Sequence, residues 1–335
     1  MSEKNHLLKT LLLVLLLMVL FCLDVIFGSI SISISDFFTN ILSGRDSTIH
    51  TILWQFRLPK AITCTLAGAS LAIGGLLMQT LFRNPLAGPD VLGLSSGASL
   101  AVGALVLTGR GLNFSSGEWS LAIAAGGGSI LVLLLMLAIA RSIRDNASLL
   151  IIGLMLAAAT SSIMSVMQFL SHAEDLQSYF LWTMGSVGNT SWKEIGVLAV
   201  IFFIGVFISF LLLKPLNSWL LGENYARSLG VDVNRSRLWI VIAAGLMTGA
   251  ITAFCGPIAF VGLAVPHLAR LIMKTTNHKI LLPSVIFGGA ILLLFCDFVS
   301  QLMSSTQALP LNALTSLIGA PIVIWQVMKF KKVSV

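Results

Sequence analysis

Of the chain's 335 residues, 57% are hydrophobic and 10% are charged, whereas a water-soluble domain carries about 25% charged residues. That composition excludes a soluble domain of any size and places the chain in lipid, with no nucleic-acid partner expected. At roughly 20 apolar residues per bilayer-crossing helix, there is material for about ten spans and little else. The expected fold is therefore all-α and polytopic, a single transmembrane domain over residues 1–335.

Lys4 and Lys9 precede a leucine-rich run from Leu11 that continues past Asp24 to about Ile34 with no cleavage-site pattern. It reads as an uncleaved first span. Apolar runs then place spans near 11–31, 58–80, 91–108, 119–140, 147–169, 195–214, 236–255, 257–273, 281–303 and 311–329. The run 236–273 is broken only at Cys255-Gly256-Pro257 and is divided there. Residues 175–187 are too few to cross and predict a helix lying at the surface.

Lysine and arginine favour cytoplasmic segments. With the N-terminus inside, only Arg45, Arg57, Lys60, Arg110 and Lys193 of the 20 basic residues fall outside. The partition supports an even number of spans and two cytoplasmic termini. Cys22, Cys64, Cys255 and Cys296 sit in apolar runs without metal or disulfide spacing, so no metal site is expected. Gly93-x-x-x-Gly97 and Gly245-x-x-x-Gly249, among 29 glycines, indicate close helix packing.

No G-x-x-x-x-G-K-[ST] loop is present to hold ATP phosphates, and no hydrolase motif appears. Asp24 and Asp297 are the only acids within spans. A secondary carrier couples through intramembrane acids, histidines or broken helices. These two aspartates read instead as bonded to neighbouring helices, so energy is expected from a partner. On the fifth span Ala158, Ser161, Ser165, Gln168 and His172 follow one helical stripe. Such a stripe serves either as a wall of the translocation path or as a helix–helix contact.

The ordered segments Arg57-Leu-Pro-Lys60, Gly68-Ala-Ser-Leu-Ala-Ile-Gly74, Gln79, Arg83-Asn-Pro-Leu-Ala-Gly-Pro89 through Gly97-Ala98, Trp182-Thr-Met-Gly185, Leu221-Gly-Glu223, Leu229-Gly230-Val231, Gly256-Pro-Ile-Ala-Phe-Val-Gly-Leu263, Pro266-His267, Arg270, Asp297, Leu309-Pro310 and Gly319-Ala-Pro321 resemble the FecCD-type permeases. These are membrane subunits of type II ABC importers for ferric siderophores, haem and cobalamin. The resemblance implies a ten-helix fold in the bacterial inner membrane, with both termini cytoplasmic. It also implies that two copies enclose one path, surrounded by membrane lipid. Two copies of a separate ATPase would bind the ATP and Mg, so no cofactor is expected in this chain. A periplasmic or lipid-anchored substrate-binding protein would dock above.

By the same resemblance, Leu221, Gly222, Glu223, Ala226, Leu229 and Gly230 form the ATPase-coupling loop, within a charged segment 214–237 whose glycines suit tight turns between short helices. Arg57 and Lys60 are the docking charges for the binding protein. The turn at Asn146, Ala147 and Ser148 matches the cytoplasmic gate, although relatives carry small hydroxyl residues there. Gln301 stands where some relatives have an outer arginine. His267 reads as structural. The expected cargo is a ferric siderophore, with cobalamin or haem as the alternative and a self-contained secondary transporter as the cross-class alternative.

Overall fold

The computed structural model describes residues 3–27, 48–108, 119–143, 145–303 and 309–331, and no strand occurs among them. Arg45, Arg110, Arg144 and Lys332 of the charge partition, and the last residues of the first expected span, lie outside that set.

Among the described residues, seven helices are long and apolar enough to cross a bilayer, and three shorter apolar ones accompany them. In chain order the described helices are α1 (Glu3–Ile26), α2 (Thr48–Leu81), α3 (Leu94–Val106), α4 (Ser120–Ser142), α5 (Asn146–Leu170), α6 (Ala173–Thr183), α7 (Trp192–Leu211), α8 (Leu213–Trp219), α9 (Glu223–Ser228), α10 (Val233–Cys255), α11 (Val261–Met273), α12 (His278–Met303) and α13 (Leu311–Lys331). The ten expected spans map onto α1–α5, α7 and α10–α13. The expected surface helix is α6, and the charged segment holds α8 and α9. The division at Cys255-Gly256-Pro257 is real: Gly256 (φ 73) and Phe260 (φ 66) turn the chain between α10 and α11.

The core is α2. Every residue from Ala67 to Leu81 is buried, with α7, α10, α11 and α12 packed around it. Helices meet closely where both lack a side chain. A methyl on Gly68 would lie 2.2 Å from the Gly289 carbonyl oxygen, and one on Gly289 would lie 2.2 Å from that of Gly68. In lipid this contact depends on dispersion, because apolar surface gains little by leaving acyl chains. Gly245 and Gly249 seat α10 on Leu133 and Ser129 of α4, while Gly97 seats α3 on Gly128.

The third span is shorter than its apolar run suggests. Pro89–Leu92 forms a 3-10 turn that folds back into the bundle, with Pro89 against Gly74 and Gly262, and Val91 against Gly153. Gly74 is seven residues inside α2, so the turn reaches about 10 Å into the bundle from that helix end. The helix therefore starts late, at Leu94.

Cross-links define two ends. Asn146 (start of α5) bonds the carbonyl of Leu81 (end of α2). Arg237 (start of α10) bonds that of Ile143, just past α4. Lys9 of α1 bonds Ile272 of α11, and Asn217 of α8 bonds His278 of α12. At the opposite end Arg57 of α2 meets the last turn of α1. The helices joined by these bonds thus run alternately from one end of the bundle to the other.

A Gly68→Ala substitution forces α2 and α12 apart. Overpacking of this kind costs about 1–3 kcal/mol and should lower the melting temperature of the detergent-solubilised protein by several degrees. Gly127→Ala, whose methyl meets nothing within 4 Å, should leave it unchanged or slightly raised. Equal melting of the two variants would remove the close crossing from the account.

Candidate functional site

Three regions gather the residues singled out by sequence. The first is a polar face on α3 and α5. Ser161, Ser165 and Gln168 line a cavity of about 270 Å³ together with Ser95, Ser96 and Ser99 of α3, Thr160 and Tyr179. Ser161 and Ser165 are exposed in this chain, so they do not glue α5 to another described helix. Ser165 donates to the Ser161 carbonyl at 3.0 Å. Its hydroxyl proton is thereby used, and its lone pairs are presented outward as acceptors.

One member of the expected stripe departs from it, and another stays on it without lining the cavity. Ala158 is exposed but lies outside the cavity lining. His172 is not on the helix at all: α5 ends at Leu170, Ser171 is extended (φ −90, ψ 163), and His172 is the N-cap residue of α6. The Ser171 hydroxyl donates to the Gln168 carbonyl at 2.9 Å, closing the last turn. Counting on at 100° per residue past that stop placed His172 wrongly. The α3 serines were missed because their run reads as a simple apolar span, although Ser95 and Ser99 stand one turn apart.

The second region is the turn before α5. Asp145 caps the helix, accepting from the backbone N–H groups of Ala147 (3.3 Å) and Ser148 (2.8 Å) and from the Ser148 hydroxyl (2.7 Å). These bonds, that of the Ser148 hydroxyl foremost, hold the exposed Asp145 carboxyl below its ordinary pKa. Asn146 donates to the Leu81 carbonyl at 2.9 Å. Of the three expected gate residues, Asn146 and Ser148 therefore have capping duties, and only Ala147 is exposed.

The third region is the α8–α9 segment. Gly222 (φ 108) and Gly230 (φ 78) adopt backbone angles that side-chain-bearing residues avoid, giving the two tight turns expected there. The inner side is anchored. Trp219 is fully buried and donates from Nε1 to Ser236 at 3.2 Å. Ala226 is also buried, and Asn217 holds His278, whose other ring nitrogen is 2.9 Å from Thr80 of α2. Glu223 pairs with Arg227 at 2.8 Å and reaches the buried Arg237 at 3.5 Å. On the outer side Leu221 is 63% exposed, Leu229 56% and Tyr225 49%. Leu221, Glu223 and Tyr225 also border an open cleft with Arg83 and Asp145.

Arg57 and Lys60 require a correction. The sequence reading has both facing outward at a helix start, but Arg57 is only 8% exposed. Its guanidinium donates to the carbonyls of Val25 and Ile26, the last turn of α1. Lys60 pairs with Asp297 at 2.6 Å. Gln301 donates to both Asp297 (2.7 Å) and Asp24 (2.8 Å). The reason is electrostatic: two carboxylates and a helix C-terminus at the edge of a low-dielectric bundle need donors, and these side chains are within reach. The two aspartates are thus bonded to neighbouring helices, as expected. His267, 2.7 Å from the Pro85 carbonyl, is likewise structural.

Lys60→Met leaves the two carboxylates with only Gln301 between them. The loss should stay below the roughly 3–5 kcal/mol of a fully buried pair, because Lys60 is partly exposed. Adding Asp297→Leu should restore part of the lost thermal stability. A double variant no more stable than Lys60→Met would contradict the pairing.

A family model described as the FecCD transport family matches residues 16–329. The vitamin B12 import system permease protein BtuC of Salmonella paratyphi A is 36% identical over 277 residues, 83% of each chain. Its counterpart in Salmonella typhi is 37% identical over the same coverage. Among solved structures, an inward-facing conformation of a metal-chelate type ABC transporter matches with a TM-score of 0.83 at 28% identity, covering 96% of this chain and 99% of that one. PsaBC from Streptococcus pneumoniae in complex with Fab, at a TM-score of 0.51 and 15% identity, shares the fold alone over 82% of this chain and 92% of that one. With a match running through nearly the whole chain, this protein belongs to the FecCD transport family, as the permease subunit of an ABC importer.

Proposed function

We propose that two copies of this chain enclose a path for a corrinoid, with ATP hydrolysed by a separate pair of subunits docked on α8 and α9. The observation that carries the transport reading is the polar face of α3 and α5. A serine-lined surface on a membrane helix is unfavourable against acyl chains, and a second copy facing it across water removes that cost. Within this reading, Asn146, Ala147 and Ser148 stand at the inner mouth of the path.

Cobalamin is preferred to the ferric siderophore expected from sequence because the curated relatives at 36–37% identity are named as vitamin B12 permeases. A metal chelate remains the second reading, on the strength of the solved transporter at 28% identity. A self-contained secondary carrier is disfavoured, because Asp24 and Asp297 are tied to Gln301 and Lys60 at one end of the bundle. Both termini are assigned to the cytoplasm. A soluble substrate-binding protein would dock at the opposite end, without Arg57 and Lys60 as free charges.

The α8–α9 segment supports the ATPase contact: exposed leucines on a rigid support make an apolar patch suited to burial by a partner. Leu229→Asp should leave the permease folded, since the side chain is exposed, yet abolish co-purification of the ATPase. A central apolar contact of this kind is worth about 2 kcal/mol or more, so uptake should fall at least about thirty-fold. Uptake of labelled cobalamin and of labelled ferric siderophore, measured side by side in cells lacking their own importers, decides the cargo. Full uptake by Leu229→Asp would refute the coupling assignment, and siderophore uptake without cobalamin uptake would reverse the cargo.

A further inference from the structure

A cavity of about 400 Å³ opens beside α8, between the ends of α2 and α11. Its polar lining is cationic: Arg270 of α11 and Arg83 of the loop after α2, with Gln79 and Thr80 beside them. No carboxylate lines it. Neither arginine takes part in any ion pair among the described residues. Arg270 Nη1 donates to the Gln79 Oε1 at 2.6 Å, and Gln79 is fixed by its own bond to the Leu263 carbonyl at 3.2 Å. A guanidinium recessed in a bundle with only a neutral partner lacks the counter-charge that usually offsets its desolvation. Arg83 stands between this cavity and the cleft of Asp145 and Glu223, and it pairs with neither. The other titratable groups facing Arg270 are His267 and His278.

The rest of the lining is His267, held by the Pro85 carbonyl, and the apolar Leu220, Leu271 and Pro85. Leu271 and Ile272 are exposed on the flank of α11. Arg270 lies three residues before the end of α11, about 4–5 Å inside it at 1.5 Å per residue, and Arg83 lies two residues past the end of α2, so the two cations straddle the helix ends. That is the depth of lipid headgroups. Basic pockets between membrane helices are sites for anionic headgroups.

We propose that this cavity binds the phosphate of an anionic phospholipid, with Arg270 and Arg83 on the phosphate and an acyl chain along Leu220 and Leu271. Placing it in the inner leaflet rests on the orientation assigned above; the binding itself does not. A lipid seated there touches the residue preceding the exposed Leu221, so it braces the α8–α9 segment.

The permease alone, in nanodiscs, tests this without any transport readout. Phosphatidylglycerol titrated into phosphatidylcholine discs should raise the melting temperature and give bound-lipid peaks in native mass spectrometry. With about 1 kcal/mol per arginine near the surface, Arg83→Gln should weaken the apparent affinity about five-fold, and Arg83→Gln with Arg270→Lys should not restore it. Arg235→Gln, an exposed residue at the same end of the bundle, should leave it unaltered. Equal stabilisation by both lipids, an equal effect from inorganic phosphate alone, or equal weakening by Arg235→Gln would overturn the proposal. So would occupancy that appears only when the ATPase subunit is added.

Discussion

A backbone carbonyl released at a helix end within a bilayer finds no water to bond, and the fold is organised around that constraint. Arg57 closes the last turn of α1, Asn146 that of α2, and Lys9 that of α11. The irregular stretches obey the same rule. Trp192 bonds the Trp54 carbonyl inside the π-helical turn of α2, and Ser186 and Asn312 satisfy the turn between α10 and α11. Each bond joins segments far apart in sequence. Satisfying the backbone therefore also sets which helices are neighbours.

Against that background the exceptions are informative. Polar side chains left exposed along α5, and leucines left exposed on α8–α9, are unfavourable for an isolated chain and favourable once a second copy or a partner covers them. The two lie on different parts of one packed bundle. The hydrogen-bonded chain Asn217–His278–Thr80 ties the α8–α9 segment to α2, and α2 is bonded through Leu81 to the start of α5. Hydrogen bonds thus join the segment that carries the leucines, through α2, to the helix that carries the polar face.

Much of this was legible in the residues. Ten apolar runs, the break at Gly256-Pro257 and the glycine turns at Gly222 and Gly230 have local causes, in length, composition and backbone angle. The ATPase contact of the charged segment came from the family motifs alone and stands as a proposal. What was not legible depends on contacts distant in sequence. Arg57 and Lys60 look like outward charges until Val25, Ile26 and Asp297 are brought beside them. Gln301 looks like a missing charge, yet its amide is the bridge between two carboxylates. The short α3 follows from Pro89 folding onto Gly74 and Gly262, and no hydropathy window contains that information. His172 fell off the stripe because Ser171 ends the helix early.

Whether α5 faces a hydrated path is tested most directly by thiol accessibility in the assembled transporter in membranes. In a Cys22→Ser background, since the other three cysteines are buried, single cysteines are placed at Ser161, Ser165 and Gln168 and, on the other side of the helix, at Ile163 and Val166. A small charged thiol reagent should modify the first three rapidly and the last two slowly or not at all. Uniform protection, or faster reaction at Ile163 and Val166, would mean that the polar face is packed away from water and that the path lies elsewhere.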